Sequence, residues 1–492
     1  MTLEDFKDKR VTVMGIGLHG GGVGVIKFLV AQGAKVLATD KRKAEELKES
    51  LEILKGLPAS PPASPSLGGN RGEPVEYVLE KHRMEDFTDT DMIIKNPAVP
   101  EDSEFLKAAR DKKIPVESDI GIFLELCPAP IIGVSGTKGK STTASLIAEI
   151  LKKKFPQVIL AGNIRSSVLD KLSEINKDSI VVLELSSWQL ADAKTHERSP
   201  QVAVLTNILK DHLNRYANFE AYVEDKKLIF KFQSDKDFLF LNYDDPLLKT
   251  FSQETKSKVY FYSTDGDKLL QEELPKANQE PRLGAYLRGK IIYFGANQEK
   301  ICSLKDIKLL GQHNVSNVLA AVSVAKLYDI ANQKIKLALQ RFEGLEGRLQ
   351  LVAEINGVKY INDTAATSPD AAVASLTALN GVQPPRIVLI SGGADKNLEF
   401  KEFGQAIDAK CKALILLPGT ATYKITKSVS NNIVFSKAAN MKRAVAFAAK
   451  LARPGDIVLL SPGCASFGLF RHEFERGESF NDVVASLNKS KM

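Results

Sequence analysis

Lys140 and Ser141 stand at the end of a glycine-rich turn, Gly133 to Thr142 (GVSGTKGKST), that leaves a strand-like run and enters a helix-like one, Thr142 to Lys153. Residues of those types at that spacing can hold a nucleoside triphosphate. Glycines let backbone N–H groups close around phosphates, a helix N-terminus favours anions, a lysine reaches the terminal phosphates and a serine hydroxyl ligates Mg²⁺. Gly136, Thr137, Lys138, Gly139, Lys140, Ser141 and Thr142 are therefore candidate ATP-binding residues. The full Walker A pattern has glycine where this chain has Val134, so the loop is the shorter GTKGKST form. A purely structural turn would not require Lys-Ser at the helix start.

Other polar residues close strand-like runs. Glu184 ends an apolar run, where a buried carboxylate is costly unless it meets a cation, so Mg²⁺ or backbone donors are its expected partners. Asp211 and His212 follow the run Val202 to Thr206 and arrive at the same sheet edge. Nearer the start, Gly15, Gly17 and Gly20 form a GxGxxG turn after Val11 to Met14, and Asp40 ends the next run 20 residues beyond Gly20. On its own that spacing suggests NAD. Its physical content is narrower: a tight turn that brings a nucleotide phosphate to a helix N-terminus. Because the chain has a separate ATP loop, a nucleotide-sugar diphosphate is favoured over a redox cofactor, with a packing turn as the remaining reading.

The elements that must position these residues alternate between strand-like and helix-like. Val11 to Met14, Val23 to Gln32 and Lys35 to Thr39 make a βαβ opening; Ile131 to Val134, Ile180 to Leu185 and Val202 to Thr206 recur with polar ends. Val358 to Ile361, Arg386 to Ile390, Ala413 to Leu417 and Asp456 to Leu460 repeat the theme. Such alternation implies an α/β protein with parallel-rich sheets and its chemistry at the carboxyl ends of the strands. Three domains are expected: residues 1–126, Rossmann-like; 127–343, a central P-loop ATPase-type domain; and 344–492, again Rossmann-like. A proline-rich stretch, taken as an insertion over residues 56–77, carries no assigned chemistry.

Composition sets outer limits. With 44% hydrophobic and 26% charged residues in 492, the chain is globular, and its charge of +7 is dispersed rather than gathered in a basic block, which argues against nucleic-acid binding. No run approaches the ~20 apolar residues of a membrane span, and the first ten residues lack a signal-peptide core, so a cytoplasmic protein is expected. Cys127, Cys302, Cys411 and Cys464 are widely separated, which argues against a zinc site or a disulfide framework.

Taken together the motifs resemble the Mur ligases, and within that family the branch that adds D-glutamate. The resemblance rests on GTKGKST, AGNI from Ala161, LELSSWQL from Leu183, TNILKDHLNRY from Thr206, YVEDKK from Tyr222, GQHNVSN from Gly311, NDTAAT from Asn362, GGADK from Gly392 and LSPGCASF from Leu460. It covers nearly the whole chain outside the proline-rich stretch. It implies that ATP phosphorylates the carboxylate of UDP-MurNAc-L-Ala to an acyl phosphate, which the amine of D-glutamate attacks. It further implies catalytic roles for Lys140, Glu184, His212 and Lys226, with Ser141, Glu184, His212 and Lys226 at two Mg²⁺ ions, the lysine as a CO₂-derived carbamate.

By the same resemblance Asn314 and Asn317 lie near adenine, Arg348 and Asp363 close on ATP, and Gly15, Gly17, Leu18, His19, Asp40, Arg42, Asn96 and Asn163 meet the UDP substrate. Thr367, Lys396, Ser466 and Phe474 form the amino-acid pocket, and Ala365 stands where the family often has lysine. For Asn314 and Asn317 a helix cap and a surface polar residue is the plainer alternative. The partners expected are small molecules, with no nucleic acid or membrane insertion, and the chain acts as a monomer. Rivals remain at this level: a ligase of the superfamily with another amino-acid substrate, including folate polyglutamate synthase; an NAD-dependent oxidoreductase, which leaves GTKGKST unexplained; and a non-catalytic nucleotide sensor.

Overall fold

A computed structural model describes residues 1–18, 20–57, 75–162, 167–210, 216–309, 311–379, 386–430 and 433–489. The chain divides into two compact units, one formed by Met1–Leu304 with Ser316–Ala338, the other by Lys305–Val315 with Leu339–Met492.

The first unit contains two sheets. β1 (Arg10–Met14), β2 (Lys35–Asp40), β3 (Val75–Leu79), β4 (Met92–Lys95) and β5 (Val116–Glu117) lie in the order β3-β2-β1-β4-β5, and all pairs are parallel. That is the doubly wound order, with a switch point between β1 and β4 where ligands bind outside the strand ends. β3 begins at Val75, so the proline-rich insertion is shorter than expected: residues 75–77 are strand, held parallel to Val36, Leu37 and Ala38. Residues 58–74 lie outside the described residues.

The second sheet has nine strands: β6 (Ile131–Ser135), β7 (Val158–Gly162), β8 (Ile180–Glu184), β9 (Val202–Leu205), β10 (Phe238–Asn242), β11 (Lys258–Ser263), β12 (Arg282–Arg288), β13 (Ile291–Phe294) and β14 (Glu299–Ser303). Their order is β14-β13-β12-β11-β10-β9-β6-β8-β7, parallel from β7 to β12 and antiparallel in the closing β12-β13-β14 meander. β6, β8 and β9 are buried along their whole length, as parallel strands covered on both faces must be.

In the second unit, β15 (Gln350–Ile355), β16 (Val358–Asn362), β17 (Ile387–Ser391), β18 (Cys411–Leu416), β19 (Val434–Lys437) and β20 (Ile457–Leu460) lie in the order β15-β16-β20-β17-β18-β19, with only β15 antiparallel. Alternate residues feed two cores on opposite faces: Ile387 and Leu389 join one, Val388 and Ile390 the other. No helix among the described residues is long and apolar enough to cross a membrane.

Candidate functional site

In the first unit, both glycine loops line one cavity of about 1070 Å³, which reaches from Gly15, Gly17 and Asn96 at the β1 and β4 ends to Thr137, Lys140 and Lys226 at the end of β6. The cavity is built by backbone geometry at each end. The helix Gly21–Ala31 starts two residues earlier than its apolar pattern suggests, because Gly20 caps it in a left-handed conformation (φ +82°). A Cβ on Gly22 would run into the carbonyls of Gly15 and Ile16, so close approach of helix and strand requires glycine there.

Asp40, at the end of β2, accepts from the amides of Ile16 (3.0 Å) and Gly17 (3.1 Å) through Oδ2 and from that of Arg42 (3.0 Å) through Oδ1. Its carboxylate shapes the loop from beneath while still lining the cavity. Leu18 and Arg42 also line it. His19 and Asn163 lie outside the described residues.

At the other end Gly139, with φ +87°, caps the helix Lys140–Leu151, which therefore begins at Lys140 rather than Thr142. A Cβ there would collide with Asn317 Oδ1, which also accepts from Thr143 Oγ1 at 3.2 Å. Asn317 is thus packed beneath the loop, and Asn314 lies one turn earlier on the helix Gln312–Leu327. Thr206 and Asn207, just beyond β9, bond to the Lys138 carbonyl at 2.6 and 3.0 Å. Thr137 Oγ1 meets Tyr222 Oη at 2.8 Å. Ser141 and Thr142 occupy the first helical turn.

Two lysines converge on this loop. Lys140 Nζ donates to the carbonyls of Gly136 (3.0 Å) and Thr137 (2.9 Å). Lys226, on the helix Phe219–Lys231 and 2% exposed, donates to Ser135 Oγ and to the same Gly136 carbonyl, both at 3.0 Å. Sharing one oxygen, the two ammonium groups stand at most about 6.0 Å apart. Glu184 ends β8 at 2% exposure, beside Gly162 and Val134. Asp211 and His212 lie outside the described residues.

One wall of the cavity is secured by a buried ion pair. Lys95, next to Asn96, bonds Asp192 Oδ1 at 2.5 Å and Glu101 at 2.8 Å; both Lys95 and Asp192 are almost wholly buried. Burial pushes the Asp192 carboxyl up to about 6, against the pull of Lys95.

The second unit gathers its own candidates. An isolated bridge pairs Ala394 with Ala465, and Gly463 N donates to the Ala366 carbonyl at 2.9 Å, which brings together the loops bearing Lys396, Ser466 and Thr367. Lys396 Nζ reaches Thr367 Oγ1 at 3.3 Å. Asp363, just past β16, accepts from Ser461 Oγ (2.8 Å) and Leu349 N (3.2 Å). Burial pushes its carboxyl up to about 6, outweighing those bonds and the nearby Arg348.

Sequence reasoning missed Arg476, a fully buried cation two residues beyond Phe474. Its guanidinium donates to Thr364 Oγ1 (3.1 Å), Thr364 O (2.9 Å) and Cys464 O (3.2 Å), fastening the NDTAAT loop to the SPGCAS loop. Burial holds it down near 10. Nothing but an arginine near the end of a motif hinted at this.

A phosphate-binding loop at a parallel sheet edge, open to a second glycine loop on a doubly wound sheet, defines a nucleotide-dependent α/β protein of several domains. Residues 134–325 match the Mur ligase middle domain and residues 347–464 the Mur ligase glutamate ligase domain. The chain is 40% identical to the UDP-N-acetylmuramoylalanine–D-glutamate ligase of Roseiflexus sp. over 97% of its own length and 99% of the relative's. It is 38% identical to the protein of that name from Symbiobacterium thermophilum, with 98% of each covered. The chain belongs to the Mur ligase family. The three-domain fold is shared with UDP-N-acetylmuramate–alanine ligase from Thermotoga maritima, at 18% identity and TM-score 0.58 over 97% of this chain and 100% of that one. It is shared too with MurF ligase from Thermotoga maritima in complex with ADP, at 18% identity and TM-score 0.55 over 82% and 90%.

Proposed function

We propose that this chain uses ATP to join D-glutamate to UDP-N-acetylmuramoyl-L-alanine in the synthesis of peptidoglycan precursors. The observation that carries the reading is the single cavity that connects a nucleotide-sugar loop with an ATP loop. A UDP-sugar diphosphate on Gly15 and Gly17 would send its acyl end toward Lys140 and Lys226. A carboxylate oxygen leaves poorly, so the γ-phosphoryl group of ATP is transferred to it first; the amine of D-glutamate then attacks the acyl phosphate, phosphate leaves and the amine loses a proton.

In this reading Gly136 to Thr142 and Asn317 hold ATP, with Asn314, Arg348 and Asp363 contributing, and Lys140 stabilises charge on the transferred phosphoryl group. Leu18, His19, Asp40, Arg42, Asn96 and Asn163 meet the UDP substrate, while Thr367, Lys396, Ser466 and Phe474 receive D-glutamate. Ser141 and Glu184 offer the hard oxygens that magnesium prefers, a hydroxyl and a carboxylate, and His212 would add an imidazole. Two Mg²⁺ ions would neutralise charge on the phosphates and the acceptor. Lys226 as an ammonium fits such a site badly, beside another ammonium on a shared carbonyl. Addition of CO₂ to its neutral amine, with loss of a proton, makes it an anion with two hard oxygens.

The domain limits that go with this function fall near residues 127 and 343, and the enzyme works as a cytoplasmic monomer. A phosphate-release assay with UDP-MurNAc-L-Ala, ATP, Mg²⁺ and a panel of D- and L-amino acids tests the reading. Release strictly dependent on D-glutamate is expected. Release that follows a different amino acid, or none, would overturn the assignment.

A further inference from the structure

His82 lines the same cavity, and none of the motifs discussed above accounts for it. It follows β3, the strand outside β2, so it stands where the ends of β2 and β3 meet; the amide of Glu80 donates to the Arg42 carbonyl there at 3.1 Å. In a doubly wound sheet with phosphates on the first glycine turn, the ribose lies over the end of the second strand and the base lies beyond it. His82 is therefore at the base end of the cavity.

Its hydrogen bonds define which ring nitrogen carries the proton. Thr39 Oγ1 lies 3.2 Å from the Lys81 carbonyl and 2.8 Å from His82 Nδ1. The hydroxyl has one hydrogen. Both contacts are satisfied only when it donates to the carbonyl and accepts from Nδ1–H, which leaves Nε2 with a bare lone pair. The ring is held edge-on by Phe87 (centroids 5.6 Å) and Phe105 (5.3 Å), a fixed rather than a searching imidazole. Burial and Lys41 lower its proton affinity, outweighing Asp40 and Asp86, so the ring is neutral at physiological pH.

We propose that His82 is a specificity-determining residue for the nucleotide base: its Nε2 accepts a hydrogen bond from the imide N–H of uracil. This inference rests on the assignment of the first glycine loop to a UDP-sugar. Cytosine presents a lone pair at the same ring position, so the neutral imidazole would face it acceptor to acceptor and reject a cytidine diphosphate sugar.

Calorimetric binding to the full chain, without ATP, tests this separately from ligase turnover. The probes are UDP-MurNAc-L-Ala, its N3-methyluridine analogue and its cytidine counterpart, measured on the native protein, His82→Leu and His82→Gln. The native protein should bind both altered ligands about tenfold or more weakly. His82→Leu should bind the uridine ligand about tenfold more weakly and lose most of the discrimination, whereas His82→Gln, whose amide oxygen can accept, should keep part of it. Unchanged affinity for ATP in both variants would show that they remain folded. Full discrimination in His82→Leu, or indifference of the native protein to N3-methylation, would overturn the proposal, whatever the phosphate-release assay finds.

Discussion

Replacement of Asp363 by Asn should separate stability from activity. In the folded chain this carboxyl titrates near 6 rather than at its ordinary 3.8, with burial as the leading cause. At pH 8 it is ionised in both the folded and unfolded states. The folded state therefore carries an ionisation cost of about 3 kcal/mol there, at about 1.36 kcal/mol per tenfold change in acidity. The cost shrinks as pH falls through 6 and is gone below about 3.8, where both states are protonated. Asparagine keeps the shape and an acceptor for Leu349 N, and the Ser461 hydroxyl can turn to accept from the new amide. Urea unfolding followed by circular dichroism should then show the variant more stable than the native chain by about 1–3 kcal/mol at pH 8 and nearly equal to it at pH 4. Its phosphate release should meanwhile fall at least about 100-fold, since on the proposed reading this carboxylate contributes to ATP binding. A variant equally destabilised at both pH values would refute the reasoning about burial; one with native turnover would remove Asp363 from the site.

Lys140→Ala should lower kcat by about three orders of magnitude, with an unchanged circular dichroism spectrum, because several kcal/mol of phosphoryl-charge stabilisation are removed; near-native turnover would take ATP off this loop. Lys396→Met should raise the KM for D-glutamate about tenfold or more and leave that for UDP-MurNAc-L-Ala almost unchanged, so equal effects on both would place the lysine elsewhere. For Lys226, two ammonium groups at most about 6 Å apart repel by at least about 3 kcal/mol at an effective dielectric of 20, and a carbamate reverses the sign. Labelled bicarbonate should therefore be incorporated at Lys226, and Lys226→Ala should be nearly inactive and partly rescued by a small carboxylate. Full activity of Lys226→Ala in CO₂-depleted buffer would end that idea.

Local signals in the sequence were legible where chemistry is local. The GTKGKST loop, the GxGxxG turn and the strand end at Glu184 all stand where spacing puts them. Errors arose where a longer-range partner decides. Asp40 reads from its spacing as a ligand of the nucleotide, and spacing does not register that its two oxygens also accept from amides of the loop and of Arg42. Both loop helices start earlier than apolar periodicity allows, since Gly20 and Gly139 supply left-handed caps that periodicity does not register. Thr137 with Tyr222, Thr39 with His82, and Arg476 with Thr364 are pairs separated by 85, 43 and 112 residues. No spacing rule reaches that far.

The buried pair of Lys95 and Asp192 has a consequence for how such a chain can change over generations. Removing Lys95 alone leaves a buried carboxylate without its cation, a penalty of about 3–5 kcal/mol, which is a large part of the stability of an ordinary domain, whereas removing Asp192 leaves the lysine with Glu101 at 2.8 Å. Replacing both at once by apolar residues of similar bulk costs little or nothing. The two sites, 97 residues apart in the chain and 2.5 Å apart in space, are thus expected to drift in a set order, the lysine changing only with the aspartate or after it. A single-step mutational path between related ligases that differ here would have to pass through a half-changed ancestor too unstable to persist, unless Glu101, already 2.8 Å from the lysine, carried the charge through the transition.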